Sequence, residues 1–291
     1  MAWRWSGTTY GSGWMHRWLI RLLRVIDVRF LYVFADIFVV PVCLIINDSR
    51  RTSFFFYHDI LGYGYFSAVW NVYLNHCSFA HIVLDRFAMY AGCRFDVTVE
   101  GLEDFNRLAE RDEGFLHLSS HIGNYEIAGY TLVSERKTIN AVVFEHEKES
   151  VMSNRSRMFG RTNIRMIALR QDMSHLYEID SAICRGEIVS FPTDRCSGAS
   201  RYVELPFLGR PARFPQGPFS VATMRGTDVL AVNVMKESWK RYRIYVTPLD
   251  YDRTLPRRQQ MEHLSAAYVA ELERMVRLYP RQWFNFYDFW G

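Results

Sequence analysis

The sequence has few cysteines, and those it has form no recognisable framework. Its 291 residues include five cysteines, an odd number, and no two of them make a CxxC pair. They are Cys43, Cys77, Cys93, Cys184 and Cys196. Small disulfide-held domains and structural zinc sites both need closely spaced cysteines, so the pattern argues against both and favours a reducing compartment.

Several signatures of common enzyme classes are also absent. There is no GxSxG nucleophile elbow, no GxxxxGK(S/T) phosphate loop and no GxGxxG dinucleotide-binding turn. These motifs carry the nucleophile of many hydrolases or cradle the phosphates of nucleotides, so their absence weakens both interpretations. Internal repeats and low-complexity tracts are missing as well, which favours an ordinary globular chain.

Aromatic residues, by contrast, are abundant. The chain has 21 Phe, 17 Tyr and 8 Trp, and apolar residues make up 49% of it, enough for a substantial core. Tyr and Trp favour places where an apolar body meets water, including membrane interfaces and lipid sites. The net charge of +4 suits anionic lipids, an acidic carrier protein or nucleic acid equally well, so composition leaves the partner open.

A basic amphipathic helix is predicted near the start of the chain. Trp14, Trp18 and Leu22 recur at helical spacing, and Arg17 and Arg21 lie on other faces. This combination is typical of a helix that lies in a membrane interface.

A long apolar run follows this helix. Residues 30–46 form a nearly unbroken apolar stretch of 17 residues, close to the lower limit for crossing a bilayer. Asp36 and Pro41 interrupt it, and a charge in the middle of a bilayer is costly. We therefore expect a membrane-associated helical element over residues 1–50 and one catalytic domain over residues 51–291, and we leave open whether the run spans the membrane or lies on it.

The remainder of the chain predicts an α/β fold with a central, mostly parallel or mixed sheet flanked by helices. Residues 54–95 read as one or two aromatic-rich helices, after which short apolar strands alternate with helices. Predicted strands cover 95–99, 114–119, 141–144, 165–169 and 188–191, followed by a strand pair at 229–234 and 243–246. Predicted helices cover 102–111, 122–132, 150–159, 173–184 and 257–279.

The stretch GFLHLSSHIGNYEIAGY, residues 114–130, carries the candidate chemistry. A strand delivers His121 to its carboxyl end, Gly123 and Asn124 permit a tight turn, and Glu126 begins the next helix. Ligands of open α/β sheets bind at these strand ends. A neutral imidazole can take a proton from an attacking hydroxyl or amine, and a carboxylate on its other nitrogen fixes the tautomer. The pattern predicts His121 as general base, oriented by Glu126.

Two other histidines lie at spacings that could suggest a site. His175 and Asp180 share the spacing, but inside a helix five residues turn by about 500°, so these side chains diverge. His117 and His121, if both lie along the strand direction, are about 13 Å apart, too far to share one metal ion. We read His175 as an ordinary helix residue and His117 as a wall residue, and we predict no metal site.

Four segments, in this order, resemble the lysophospholipid acyltransferase superfamily, and within it the lauroyl- and myristoyltransferase branch of lipid A biosynthesis. They are HIGNYE (121–126), GEIVSFPTDRCSG (186–198), VELPFLGRPARFPQGPFSVATMRGTDVLAVNV (203–234) and YPRQWFNFYDFW (279–290). With the basic apolar N-terminus, the resemblance extends over nearly the whole chain.

The resemblance implies a glycerolipid acyltransferase-like fold and transfer of a fatty acyl group from acyl carrier protein or coenzyme A to a lipid or glycolipid such as a lipid A precursor. It implies work at the cytoplasmic face of the inner membrane of a Gram-negative bacterium, without a metal, a cofactor or a nucleic-acid partner. His121 and Glu126 fall on the catalytic pair. The implied substrate-binding positions are Asn124, Arg161, Arg170 and Asp194.

Three alternatives stay open at this stage. The acceptor could be another compound, such as an aminolipid, a polyene pigment or a phosphoglycolipid. The chain could be an inert lipid-binding protein of the same fold, although both His121 and Glu126 are present. A hydrolase would use water in place of the acceptor. Cys196, near the Pro-x-Asp turn, is interpreted as a structural thiol.

Overall fold

The computed structural model describes residues 13–144, 163–170, 172–196 and 201–290. The helix predicted around 150–159 and the candidate Arg161 lie outside these residues. In chain order the helices are α1 (Gly13–Leu23), α2 (Val28–Phe34), α3 (Val40–Ile46), α4 (Ser49–Phe55), α5 (Tyr65–Ala91), α6 (Leu102–Glu110), α7 (Ala128–Thr131), α8 (Ser174–Cys184), α9 (Gln216–Arg225) and α10 (Arg257–Leu278). The strands are β1 (Asp96–Glu100), β2 (Phe115–Ser119), β3 (Ile139–Phe144), β4 (Ile164–Leu169), β5 (Ile188–Pro192), β6 (Tyr202–Phe207), β7 (Arg210–Pro215), β8 (Val229–Lys236) and β9 (Arg241–Pro248).

Seven strands form one mixed sheet in the order β1-β9-β8-β2-β5-β3-β4. The strands from β8 to β4 in this order all run parallel to one another. Strand β9 pairs antiparallel with β8, and β1 runs parallel to β9 at the edge of the sheet. This confirms the predicted α/β fold with a mostly parallel sheet, including the predicted pairing of the strands near 229–234 and 243–246.

The sheet is buried on both faces, which explains why its central strands read as continuous apolar runs. Along β2, Leu116 and Leu118 join the larger core cluster, which helices α8, α9 and α10 complete. Phe115 points to the opposite face, into a cluster with Ile82 of α5 and Phe105 of α6. The alternation along one strand therefore divides the core into two layers.

A hairpin of β6 and β7 stands apart from the main sheet, and the sequence did not predict it. Its strands carry Pro206 opposite Pro211, which removes the alternating pattern that predicts a strand. The turn uses positive φ at both Leu208 and Gly209, with values of 52° and 82°, the geometry that suits a two-residue hairpin.

The helix predicted over 122–132 is much shorter than expected. The chain after β2 stays tied to the sheet through Asn124, whose backbone N–H donates to Val234 O at 2.9 Å. Only a 3-10 turn, Tyr125–Ile127, and the single turn of α7 follow. The backbone bonds that hold this turn to β8 leave no room for a regular helix to begin earlier.

The N-terminal helices pack along α5. Val28–Ile46 is a continuous helix with one widened turn, Ala35–Val39. This turn ends two residues before Pro41, whose ring cannot supply the N–H that a regular turn needs. The hydroxyl of Tyr32 donates to the buried Asp85 of α5, and Lys236 Nζ lies 3.0 Å from the same hydroxyl. Polar contacts thus join the N-terminal segment to α5 and to β8.

Candidate active site

His121 lies just past the carboxyl end of β2, as predicted, and its backbone is fixed on both sides. Its carbonyl accepts a hydrogen bond from Phe284 N at 3.2 Å, and its N–H donates to Asp194 Oδ2 at 2.8 Å. Ile122, the next residue, pairs with Trp283 in an antiparallel bridge. The segment around Phe284 therefore holds the histidine turn in place.

Gly123 is required by the geometry of this turn. Its φ is +60°, and a Cβ added there would lie 1.8 Å from Val234 O. Its N–H donates to Gln282 O at 2.9 Å, so the backbone has no freedom to move away. A side chain at this position would displace the turn that carries His121.

Asp194 is the carboxylate hydrogen-bonded to the His121 ring. Strands β2 and β5 are parallel neighbours in which Ser119 pairs with Pro192, so the residues after both strands emerge side by side. Thr193 N donates to Ser119 O at 2.8 Å, and Asp194 Oδ1 lies 2.7 Å from His121 Nδ1. The resemblance gave Asp194 as a substrate-binding position, and the structure places its carboxylate at the His121 ring. The orienting role of Glu126 stays a prediction.

Asp194 is buried and His121 is partly buried, and their environment favours a neutral imidazole beside a charged carboxylate. Burial lowers the pKa of His121, the charge of Arg195 lowers it further, and Asp194 opposes both. Burial alone would raise the pKa of Asp194, but the charge and hydrogen bonds of His121 and the charge of Arg195 bring it below its ordinary value. The histidine is thus poised as a base near pH 7.

Glu126 is buried in the same turn, and two side chains of α5 hold its carboxylate. Tyr90 of α5 donates its hydroxyl hydrogen to Glu126 Oε2 at 2.6 Å, and Arg86 Nη1 lies 3.6 Å from Oε1. The Arg86 guanidinium also stacks over the ring of Tyr125, with 4.7 Å between its central carbon and the ring centroid. These contacts fix the carboxylate from the side of α5.

A cavity of about 130 Å³ lies beside these groups. Its polar wall includes Ser119, Ser120, His121 and Glu126. Its apolar wall includes Leu132, Ile139, Val142, Val143, Ile164 and Met166. A reactive polar end joined to an apolar chamber suits a molecule with one polar group and a hydrocarbon tail.

The other predicted positions fall at different distances from this cavity. Asn124 is fully buried, and its side-chain oxygen accepts a long hydrogen bond from Arg86 Nε at 3.4 Å. Arg170, at the end of β4, donates to Glu178 Oε1 at 2.8 Å and is not among the described residues that line the cavity. His117 lines the cavity as a buried wall residue, as predicted.

His175 is separate from the site, in agreement with its reading as a helix residue. Its Nδ1 accepts a hydrogen bond from Arg170 N at 3.1 Å, and Asp180 pairs instead with Arg225. Among the described residues, no group of three or more His, Cys, Asp or Glu side chains could hold a metal ion.

Sequence reasoning missed Tyr90, Arg86 and the partnership of His121 with Asp194. Tyr90 and Arg86 lie in the aromatic-rich helix α5, where no local motif marks them. The Asp194 pairing depends on which strand lies next to β2, which the chain order does not give. The closing segment 279–290 was noted only as a resemblance, and the structure gives it a physical role as the clamp on the histidine turn.

Comparison with known proteins adds two findings. A family model described as bacterial lipid A biosynthesis acyltransferase matches residues 88–290. Among curated proteins none matches the chain. A crystal structure of the 1-acyl-sn-glycerophosphate (LPA) acyltransferase PlsC from Thermotoga maritima is similar at a TM-score of 0.39 and 14% identity, covering 91% of this chain and 98% of that one.

Proposed function

The chain belongs to the bacterial lipid A biosynthesis acyltransferase family, and we propose on that premise that it transfers a fatty acyl group from an acyl thioester to a hydroxyl or amine of a membrane lipid or glycolipid. The donor is acyl carrier protein or coenzyme A, and the acceptor is of the lipid A precursor type. The observation that carries the proposal is the His121–Asp194 pair at the polar end of an apolar cavity.

The proposed reaction needs one base and no covalent acyl-enzyme. The attacking hydroxyl or amine gives its proton to Nε2 of His121 as its oxygen or nitrogen bonds to the thioester carbonyl carbon. The carbon–sulfur bond then breaks, and the imidazolium returns the proton to the leaving thiolate. Asp194 accepts the hydrogen bond from Nδ1–H, which keeps the lone pair on Nε2 and stabilises the imidazolium while it exists.

Glu126 takes a second role in this proposal. It lines the same cavity and is held there by Tyr90 and Arg86. A fixed carboxylate at the cavity wall adds negative potential as the imidazolium forms. The base and its orienting partner are thus His121 and Asp194, and Glu126 is a neighbouring electrostatic group.

The remaining predicted positions are assigned by their placement. Asn124, fully buried against Arg86 and Val234, positions the turn. Arg161 and Arg170 stay proposed contacts for phosphate groups of the donor or acceptor, because a guanidinium group forms paired, charge-assisted hydrogen bonds with phosphate oxygens.

The acyl chain is proposed to bind against the apolar wall of the cavity beside His121. Each methylene moved from water into such a wall gains about 0.8 kcal/mol, so the tail supplies binding energy that orients the thioester against His121. A lipid acceptor and a basic apolar N-terminus support work at a membrane, for which we propose the cytoplasmic face of the inner membrane of a Gram-negative bacterium.

The test is mass spectrometry of the membrane lipids of cells that express the wild type or His121→Ala. We expect a lipid heavier by one fatty acyl group in the wild type alone, which identifies the acceptor and chain length together. A matched control is Tyr177→Ser, an exposed change on α8 that should leave the product unchanged.

Other outcomes select the alternatives. Release of free fatty acid without an acylated lipid would make the chain a hydrolase. An acylated aminolipid or pigment would retain the reaction and change the acceptor. Identical lipids with and without His121, in cells that supply every donor and acceptor class, would contradict acyl transfer and favour a lipid-binding protein.

A further inference from the structure

The cavity beside His121 lies on one face of the central sheet. His117 of β2 pairs in register with Ser190 of β5, and Ser190 pairs with Ala141 of β3, so the three form one row across that face. All three line the cavity. The row therefore forms part of the cavity floor, two residues along β2 from Ser119.

The walls beyond this row are apolar. Their side chains include Leu132, Ile139, Ile164, Met166 and Val232. The cavity, at about 130 Å³, is close in size to an engineered protein cavity of ~150 Å³ that binds benzene. It is thus wide enough for part of a hydrocarbon chain and too small for the disaccharide headgroup of a glycolipid.

His117 is a polar group set in this apolar surface. Its side chain is buried, with 5% exposure, and its ring lies 5.7 Å from that of Phe105 on α6 and 5.4 Å from that of Phe115. Its Nε2 has no hydrogen-bond partner among the residues that the structure describes. Burial lowers the pKa of His117 to about 4, so near pH 7 the ring is neutral, with one N–H donor and one acceptor nitrogen.

A buried imidazole in a cavity wall indicates what kind of molecule the cavity holds. A plain hydrocarbon tail packed over the ring would exclude water from it and offer no hydrogen bond in return. A hydroxyl group on the tail would donate or accept one, and Ser190 beside His117 offers a second polar contact. Pockets built to bond a substrate hydroxyl discriminate strongly against the analogue that lacks it.

The place of His117 along β2 sets where on the tail that hydroxyl lies. His121, which receives the thioester in the proposed function, follows the same strand four residues later. At a rise of about 3.3 Å per residue, the two backbone positions are up to about 13 Å apart. The recognised group therefore lies several carbons from the thioester.

We propose that His117, with Ser190 beside it, selects a fatty acyl chain that carries a hydroxyl group several carbons beyond its thioester. The hydroxyl forms a hydrogen bond with the imidazole, and the adjoining methylenes pack against the apolar walls. Selection of this kind rests on the proposed function for the presence of an acyl thioester in the cavity, but it needs no transfer step.

Binding to the wild-type chain is the first test, because it needs neither a carrier protein nor an acceptor. The probes are N-acetylcysteamine thioesters of dodecanoic acid, unsubstituted or with a hydroxyl at carbon 3, 6 or 9, which compete with a fluorescent fatty acyl thioester. We expect the 6- or the 9-hydroxy thioester to bind about tenfold more tightly than the unsubstituted one. If neither binds more tightly than the unsubstituted and the 3-hydroxy thioesters, the proposal is wrong.

The variant His117→Leu separates recognition by this ring from a general preference for polar tails. It replaces the imidazole with an apolar side chain, so the ratio of the two affinities should fall to about one. His117→Gln retains a donor and an acceptor and should keep part of the ratio. Met166→Leu, a volume-conserving change of another wall residue, is the matched control and should keep the wild-type ratio. A wild-type ratio in His117→Leu would refute the proposal.

Ser190→Ala gives a further measurement in case His117→Leu does not fold. It removes the neighbouring hydroxyl and keeps the imidazole, so we expect the affinity ratio to fall by about threefold. An unchanged ratio would place the hydroxyl of the chain away from the row that His117 and Ser190 share, which contradicts the proposal.

Transfer assays with the same acyl chains on acyl carrier protein and on coenzyme A separate this selection from the proposed function. Tighter binding of a hydroxy thioester that depends on His117, with no lipid acylated from any donor, would support the selection and contradict acyl transfer. Lipids acylated at equal kcat/KM from plain and hydroxylated donors, together with equal binding, would support acyl transfer and refute the selection by His117.

Discussion

The two carboxylates near the His121 turn are held by regions built in different ways. Asp194 follows β5, and backbone bonds between neighbouring parallel strands fix its place, such as Thr193 N to Ser119 O at 2.8 Å. Glu126 lies in a 3-10 turn, and its described partners are side chains of α5, Tyr90 and Arg86.

This difference teaches how the site depends on the rest of the fold. The sheet ladder sets the Asp194 side, so the position of that carboxylate is tied to the core of the protein. The Glu126 side depends on the docking of α5, the same helix that supports Val28–Ile46. One half of the site therefore belongs to the sheet, and the other half is supported by a helix that also packs against the N-terminal apolar segment.

Replacing His121, which lies between the two regions, should lower the rate of acyl transfer the most. His121→Ala leaves the attacking hydroxyl or amine without a base, and we expect acyl transfer to fall by about 10³–10⁴-fold. The measurement is the single-turnover rate with an acyl thioester and a lipid acceptor. A rate within tenfold of the wild type would place the base elsewhere.

Replacing Asp194, on the sheet side of the site, should lower the rate more than replacing Glu126, on the helix side. Asp194→Asn preserves the shape but removes the charge that fixes the tautomer, so we expect a loss of about 10²–10³-fold. Glu126→Gln should lose less, about 10–100-fold, because the His121–Asp194 pair remains. If the order were reversed under the same assay, Glu126 and not Asp194 would be the partner that matters.

The pH dependence sharpens the same comparison. The pKa of His121 is below its ordinary value of 6.5, so the acidic limb of the kcat/KM profile should lie below pH 6.5. Asp194 raises this pKa and Arg86 lowers it. Asp194→Asn should therefore move the limb to lower pH, and Arg86→Gln should move it to higher pH. Shifts of the same sign would contradict the assignment.

We expect the smallest effect when only the contact between Tyr90 of α5 and Glu126 is changed. Tyr90→Phe removes one hydrogen bond to Glu126 and keeps the ring, so we expect a loss of about three- to tenfold in turnover. Tyr90 is a positioning residue, so the variant should change kcat more than the KM of the acyl donor. In a Glu126→Gln background the same change should add little, and full additivity would mean that Tyr90 acts independently of Glu126.

Much of the fold followed from local patterns. The alternation of short apolar strands with helices predicted the parallel sheet. The strand delivering His121 was placed correctly because GFLHLS is a short, mostly apolar run shortly before a Gly-Asn turn. The hairpin at 202–215 was missed, since Pro206 and Pro211 disrupt the pattern that marks a strand.

The site was predictable only in part, for a physical reason. His121, Glu126 and Asp194 each follow or precede a recognisable strand or turn, so the sequence could nominate them. Which carboxylate meets the ring depends on β5 lying beside β2, a long-range choice that the two segments do not encode locally. Tyr90 and Arg86 are brought to Glu126 by helix docking, which likewise has no local signal.

The contact between Tyr32 and Lys236 has a consequence for the order of synthesis. The two residues are 204 positions apart in the chain. At about 5–20 residues per second, a ribosome takes roughly 10–40 s to travel from one to the other. Throughout that interval the apolar segment exists without its partner on β8, and α5 or a lipid surface must shelter it from aggregation. A strand made late in synthesis thus completes the contacts of the first helices.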